Sequence, residues 1–335
     1  MRVLLIRLSS LGDVVLATSA VEALAARHPG LEIHFLTKPA FEGVFQGNPH
    51  LAELHLWAKG DSPRKVAENL KPYDFTLVVD LHSNLRTRLL KFFLPGRWSV
   101  YRKDAAARRL AVKFGLGALI GDAPHVTRRY ARALRWLGVK KPGIPRLYVQ
   151  QRDIDLITGL LVGGGWDGQS PLVALAPGAR WATKAWPEAK WAELLKLMDA
   201  GGGRFPVLTG GAGERELCSR ILGGAKGLNL AGETTIPGTA ALLSLCDCLV
   251  TSDSAPMHIA GAVSTPVVAI FGPTVKGFGF FPQGAKDQVV ERQLSCRPCS
   301  LHGSDQCPRG HFECMEKTDA PEVLEALDKV LGGEE

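Results

Sequence analysis

Short apolar runs alternate with amphipathic stretches along most of this 335-residue chain. Val3–Leu8, Glu32–Leu36 and Phe75–Asp80 read as strands, and between the first two, apolar residues recur at helical spacing from Val14 to His28. Helical patterns return near Ala105–Phe114 and Thr127–Leu137. Turn-forming residues then interrupt the alternation: Lys141-Pro142-Gly143-Ile144-Pro145 and Gly163-Gly164-Gly165-Trp166-Asp167-Gly168 bracket a short helix around Asp153–Leu161. Strands resume at Leu172–Ala176, Phe205–Thr209, Cys248–Ser252 and Val267–Phe271. Pro187 opens the helix after the first of these, and further helices fall at Glu214–Leu222, Thr239–Leu245, Pro256–Ala262 and Pro321–Leu331. Asp319 reads as the N-cap of the last, with Glu322 three residues on as in a capping box. The pattern predicts an α/β protein made of two Rossmann-like parallel-sheet domains, 1–160 and 161–335, facing each other across a cleft, with the last helix free to pack back on the first domain.

A hydrophobic content of 46% is enough to build two cores, and no uncharged apolar run reaches the roughly 18 residues that span a bilayer. With no signal-peptide layout at the start, a cytoplasmic protein is expected, and its seven cysteines then point to reduced thiols or a metal site rather than a disulfide framework. The net charge of +7 is unevenly spread. Residues 82–141 hold fifteen Lys and Arg against Asp104 and Asp122, a net +13 that leaves the rest of the chain at −6. Such a field suits an anionic partner or a solvated basic face. No aromatic-interleaved or recognition-helix motif accompanies it, so nucleic acid is not expected, and a phosphorylated, membrane-borne partner fits the charge.

Asp13, in Ser9-Ser10-Leu11-Gly12-Asp13, falls where the first strand hands over to the first helix. Partial positive charge at a helix N-terminus favours the carboxylate, which is then able to accept a proton from a sugar hydroxyl. A helix cap on Ser9 or Ser10, with Asp13 merely complementing the dipole, accounts for the same residues. Four loops of the second half follow predicted strands, the end at which open α/β sheets bind ligands. They carry Thr183 and Lys184; Gly211, Glu214 and Glu216; Asp253, Ser254, Ala255 and His258; and Gly272 and Thr274. A lysine, glycines that admit a backbone close to a ligand, acids for ribose hydroxyls and a helix N-terminus suit a nucleotide diphosphate. Neither G-x-x-x-x-G-K-[ST] nor G-x-G-x-x-G is present where a P-loop enzyme or a dinucleotide dehydrogenase carries it.

With Lys184-Ala185-Trp186-Pro187-Glu188, Gly210-Gly211-Ala212-Gly213-Glu214, Ser252-Asp253-Ser254-Ala255-Pro256-Met257-His258 and Phe271-Gly272-Pro273-Thr274 following the Asp13 segment in this order, the chain resembles the ADP-heptose:lipopolysaccharide heptosyltransferases, glycosyltransferases of the GT-B fold. The resemblance implies an inverting, metal-independent transfer of heptose from ADP-heptose to the inner core of lipopolysaccharide. Asp13 becomes the general base, Lys184 the diphosphate contact, and the second-half residues above the donor site. Ser9, Ser10, Gly12, Asn84, Arg86 and Arg129 become the acceptor-binding candidates, in a protein bound peripherally to the anionic inner face of the inner membrane. No cofactor is implied. Cys296, Cys299, Cys307 and Cys314 resemble the cysteine-rich segment of the transferases that add the second heptose, which favours heptose I as acceptor over Kdo. One C-x-x-C with two further cysteines is also a candidate structural zinc site, the alternative being buried free thiols that close a loop. Two other functions fit the same residues: a nucleotide-sugar 2-epimerase-like enzyme of the same fold, and a non-catalytic nucleotide-sugar-binding protein.

Overall fold

The computed structural model describes residues 1–102, 105–113 and 123–332. Lys103, Asp104, Asp122 and Phe114, which belong to the basic segment and to an expected helix, lie outside them. The chain divides into two compact units, one within 1–104 and 124–148, the other within 105–123 and 149–335. The division in the middle of the chain falls between Tyr148 and Val149, ahead of the helix expected to close the first domain.

The first unit contains β1 (Arg2–Ile6), α1 (Leu11–Arg27), β2 (Glu32–Thr37), β3 (Leu51–Leu56), α2 (Pro63–Leu70), β4 (Leu77–Asp80), α3 (Leu85–Phe93) and β5 (Arg97–Val100). After α4 (Ala105–Lys113), which is grouped with the second unit, α5 (Val126–Ala133) completes the first. All strand pairs are parallel, in the order β3-β2-β1-β4-β5. Val3, Leu4, Leu5 and Ile6 are fully buried because helices cover both faces of the central strand, which is why it reads as an unbroken apolar run. The strand stops at Ile6, short of the expected Leu8, and α1 begins at Leu11, ahead of Val14, with Ser10 as its N-cap.

The second unit holds α6 (Gln151–Gly163), β6 (Leu172–Ala176), α7 (Glu188–Ala200), β7 (Phe205–Leu208), α8 (Arg215–Leu222), β8 (Leu228–Asn229), α9 (Ile236–Leu245), β9 (Cys248–Ser252) and α10 (Ala255–Ala262). It ends with β10 (Val267–Phe271), β11 (Gln288–Glu291), α11 (Glu313–Glu316) and α12 (Ala320–Gly332). This sheet is also wholly parallel, in the order β11-β10-β9-β6-β7-β8. Helix α12 packs on α7 and against β9, β10 and β11 of its own unit, with Val323, Leu327 and Val330 buried. The capping box expected at its start is replaced by ion pairs: the Asp319 carboxylate accepts from Lys190 Nζ at 2.7 Å and Glu322 pairs with Arg292.

Strand order reverses direction between β1 and β4 in one unit and between β6 and β9 in the other. Loops leaving adjacent parallel strands at such a point run to opposite sides of the sheet and open a crevice at the carboxyl edge. The loops after β1 and β4 carry Ser9–Asp13 and His82–Asn84; those after β6 and β9 carry Lys184 and Asp253.

Candidate active site

In the first unit Asp13 is the third residue of α1. Its Oδ2 accepts from the Ser10 backbone N–H at 3.1 Å and from Ser10 Oγ at 2.9 Å, and its Oδ1 lies 2.6 Å from Arg7 Nη2. The helix-cap reading of Ser10 therefore holds together with the carboxylate reading of Asp13, because one carboxylate does both. Burial alone would raise the Asp13 carboxyl, but the Arg7 charge and the hydrogen bonds from Ser10 and Arg7 outweigh it and hold the group below the usual carboxylate range. Arg7 is buried, with Nη1 donating to the Leu81 carbonyl at 2.7 Å, and its guanidinium lies 6.0 Å from the Tyr130 ring. Burial pushes the Tyr130 phenol upward, so it stays neutral. Arg7 was missed as a site residue; its signal was a charge inside Leu4-Leu5-Ile6-Arg7-Leu8.

The acceptor-binding candidates divide. Ser9 and Ser10 lead into α1 just ahead of Asp13, and Gly12 precedes it in the first turn. Asn84 caps α3, accepting from Thr87 N at 2.9 Å, beside Asp80, whose carboxylate takes the N–H groups of His82 and Ser83 and the Thr87 hydroxyl at 2.6 Å. Arg86 is not an open surface charge: its guanidinium stacks 4.7 Å from the Trp57 ring and donates to the Asp61 carbonyl at 3.0 Å. Nor is Arg129, only 3% exposed and hydrogen-bonded to the Tyr101 hydroxyl, with Tyr101 set edge-on to Tyr130 at 5.2 Å. The basic segment is thus partly interior, since an α5 residue facing α1 is buried whatever its charge.

In the second unit Lys184 ends a single 3-10 turn after β6 and places Nζ 2.5 Å from Asp253 Oδ2. The same oxygen accepts from Thr274 Oγ1 at 2.7 Å, so residues from the loops after β6, β9 and β10 meet at one carboxylate. Ser254 is the N-cap of α10, its hydroxyl 3.2 Å from Thr251 Oγ1, and the first turn carries Ala255 and the partly exposed His258. At this corner the Asp253 carboxylate balances the Lys184 charge and engages the Thr274 hydroxyl, and the N–H groups opening α10 are the donors suited to a diphosphate.

Other donor candidates have structural work within the unit. Glu214 Oε2 accepts from Gly211 N at 2.7 Å, and the carboxylate fills the space that side chains at Gly178 and Gly210 would need: a Cβ there would lie 1.8 and 2.3 Å from its oxygens. Glu216 is exposed at the start of α8. Thr183 is spent on Ser304, accepting from its N–H and donating to its carbonyl, both at 2.8 Å. Gly272 is buried, and a Cβ there would stand 2.7 Å from Met315 Cε. Arg297, which no sequence motif marks, donates to the Gly272 carbonyl at 2.5 Å and the Thr274 carbonyl at 2.7 Å, fixing the loop that presents Thr274.

All seven cysteines are free thiols. Of the four in the C-terminal segment, burial raises Cys314 to about 11 and also raises Cys299. Burial opposes ionisation of Cys307 as well, but backbone N–H groups of residues 309–312 outweigh it and lower that thiol. Among the described residues, the one set of three metal-ligand side chains converging within 4.8 Å is elsewhere: His34, Glu53 and His55 on β2 and β3, where the imidazoles already hydrogen-bond each other at 3.0 Å. Among the described residues the four sulfur atoms form no such set.

No helix among the described residues is long and apolar enough to cross a membrane. The model of glycosyltransferase family 9 (heptosyltransferase) matches residues 63–308. The chain is 28% identical to lipopolysaccharide heptosyltransferase 1 of Pseudomonas aeruginosa, over 89% of this chain and 86% of that one. It is 27% identical to lipopolysaccharide heptosyltransferase 2 of Salmonella typhimurium, over 100% and 99%. Among solved structures, a family 9 glycosyltransferase from Veillonella parvula superposes with a TM-score of 0.81 at 20% identity, covering 98% of this chain and 97% of that one. The ADP-heptose lipopolysaccharide heptosyltransferase II of E. coli gives 0.76 at 24%, covering 99% and 98%. With two parallel-sheet units of the GT-B type and a family match across most of its length, the chain belongs to glycosyltransferase family 9, the heptosyltransferases.

Proposed function

We propose that this protein transfers heptose from ADP-L-glycero-D-manno-heptose to the inner core of lipopolysaccharide in a single displacement that inverts the anomeric centre. The observation that carries the reading is Asp13, held as a carboxylate by Arg7 at the switch point of the first sheet. In the transfer, the acceptor hydroxyl gives its proton to Asp13 as its oxygen bonds to the anomeric carbon. The bond from that carbon to the ADP oxygen breaks, and ADP leaves with the electron pair. A carboxylate of low basicity suffices when proton transfer is late in an oxocarbenium-like transition state. Lys184 and the N–H groups opening α10 take up charge on the departing diphosphate, a role that divalent metals fill elsewhere, so the transfer runs without metal or cofactor.

Heptose I of the core is the favoured acceptor, on the strength of the cysteine-rich segment, with Kdo as the alternative; similarity to relatives of both kinds is nearly equal. The protein works in the cytoplasm, peripherally at the inner face of the inner membrane. Incubation with ADP-heptose and lipopolysaccharide truncated either at Kdo or at heptose I tests this. ADP release with a mass gain of one heptose on the heptose-terminated acceptor is expected. Gain only on the Kdo-terminated acceptor reverses the assignment. ADP-heptose binding without gain on either leaves a non-catalytic binder.

A further inference from the structure

Helix α3 has a core-facing stripe and, opposite it, a second apolar stripe that is largely exposed among the described residues. Thr87 and Leu90 are fully buried, whereas Leu85, Leu89, Phe92 and Phe93 are 74, 41, 82 and 41% exposed. At the helical period those four fall within an arc of about 100° on the side away from the core. Exposed Arg88 borders the arc on one side and Arg86 on the other, while Lys91 lies further round, toward Thr87. Between Asp80 and Asp104 the sequence has six Lys and Arg and no acid.

A contiguous exposed apolar face of this kind marks an interaction site, and its flanking charge selects the partner. Two copies of the chain meeting about a two-fold axis would bring the same cationic rows together, which opposes self-association. An anionic bilayer satisfies both features at once, apolar side chains entering the acyl boundary while the basic rim meets lipid phosphates. We propose that α3 is an interfacial helix that seats the first unit on an anionic lipid surface through Leu85, Leu89 and Phe92, with Arg88 on the headgroups. This deepens the reading above, since a lipid-borne acceptor requires the enzyme at the bilayer, but lipid binding is measurable with neither donor nor acceptor present.

The test is co-sedimentation of the full chain with vesicles of phosphatidylglycerol and phosphatidylcholine, and of phosphatidylcholine alone. The wild type should bind the anionic vesicles, release in high salt, and bind neutral ones weakly. Leu85→Ser with Phe92→Ser should lower partitioning by about tenfold or more at an unchanged melting temperature, both positions being solvent-facing. Equal binding by that variant, or no binding of the wild type to anionic vesicles, overturns the proposal. So does concentration-dependent self-association that the double substitution abolishes in the absence of vesicle binding. Heptosyl transfer to a delipidated, water-soluble acceptor should be the same in both proteins; its absence in the wild type would refute the proposed function and leave the lipid result standing.

Discussion

Arg7 and Asp13 form a 2.6 Å ion pair in which the side chains are only 7 and 20% exposed, and it joins the end of the central strand to the first turn of α1. Removing one partner of a pair this enclosed leaves the other charge poorly solvated, at a cost of about 3–5 kcal/mol. Arg7→Ala is therefore expected to be strongly destabilising in urea unfolding, with Arg7→Lys intermediate because it keeps the charge but loses the fork that also reaches Leu81.

The same pair sets a pH dependence. Folding lowers the Asp13 pKa, so the carboxylate's stabilising contribution is complete above its unfolded value of about 4 and is lost as pH falls through the lower folded value. In Asp13→Asn this acid-side loss should be reduced, measured as the difference in unfolding free energy between the two proteins across the acid range. Identical pH slopes would mean that Asp13 titrates alike in both states.

Lys184→Ala should both weaken ADP-heptose binding and slow transfer, because a phosphate-directed ammonium acts in the ground state and the transition state. Asp253→Ala frees the ammonium from its carboxylate but removes the group that positions it and Thr274. It is expected to lower kcat more than it changes donor affinity. Normal use of donor by Lys184→Ala would pass the diphosphate to the N–H groups of α10.

Gly178→Ala should destabilise by about 1 kcal/mol, since its Cβ would push the Glu214 carboxylate off its hydrogen bond to the Gly211 N–H. Combining it with Glu214→Ala should recover most of that loss. Additive effects in thermal melts would place the strain elsewhere.

Acceptor kinetics should depend on salt more than donor kinetics do, because attraction between exposed charges is screened beyond about 8 Å at physiological ionic strength. Charge reversal is informative at Arg128, which is exposed, but not at Arg129 or Arg86, where it would break interior contacts. Arg128→Glu should raise the KM for a phosphorylated acceptor at low salt. Transfer should also survive EDTA; loss that magnesium restores would contradict the metal-free account.

What could be read from the sequence follows the burial of each element. β1, β6, β9 and β10 are covered on both faces and appear as apolar runs, so the switch-point loops were placed correctly. The edge strands β3, β5, β8 and β11 are short and partly exposed, which erases the run that would have announced them. α3 was passed over because its outer face is apolar too, blurring the helical period. Asp13, Lys184 and Asp253 are legible as candidates through their position after strands. Arg7 and Arg297 are not, because a buried arginine is defined by partners distant in sequence: Leu81 for Arg7, and Gly272 and Thr274 for Arg297.

The central claim is that Asp13 takes the proton of the acceptor hydroxyl. Its most direct test is single-turnover transfer from saturating ADP-heptose in Asp13→Asn, with donor affinity measured in parallel by calorimetry. The account predicts a rate lower by about 10²–10⁴ with donor affinity nearly unchanged. A rate close to wild type, or a loss explained wholly by weakened donor binding, would contradict it.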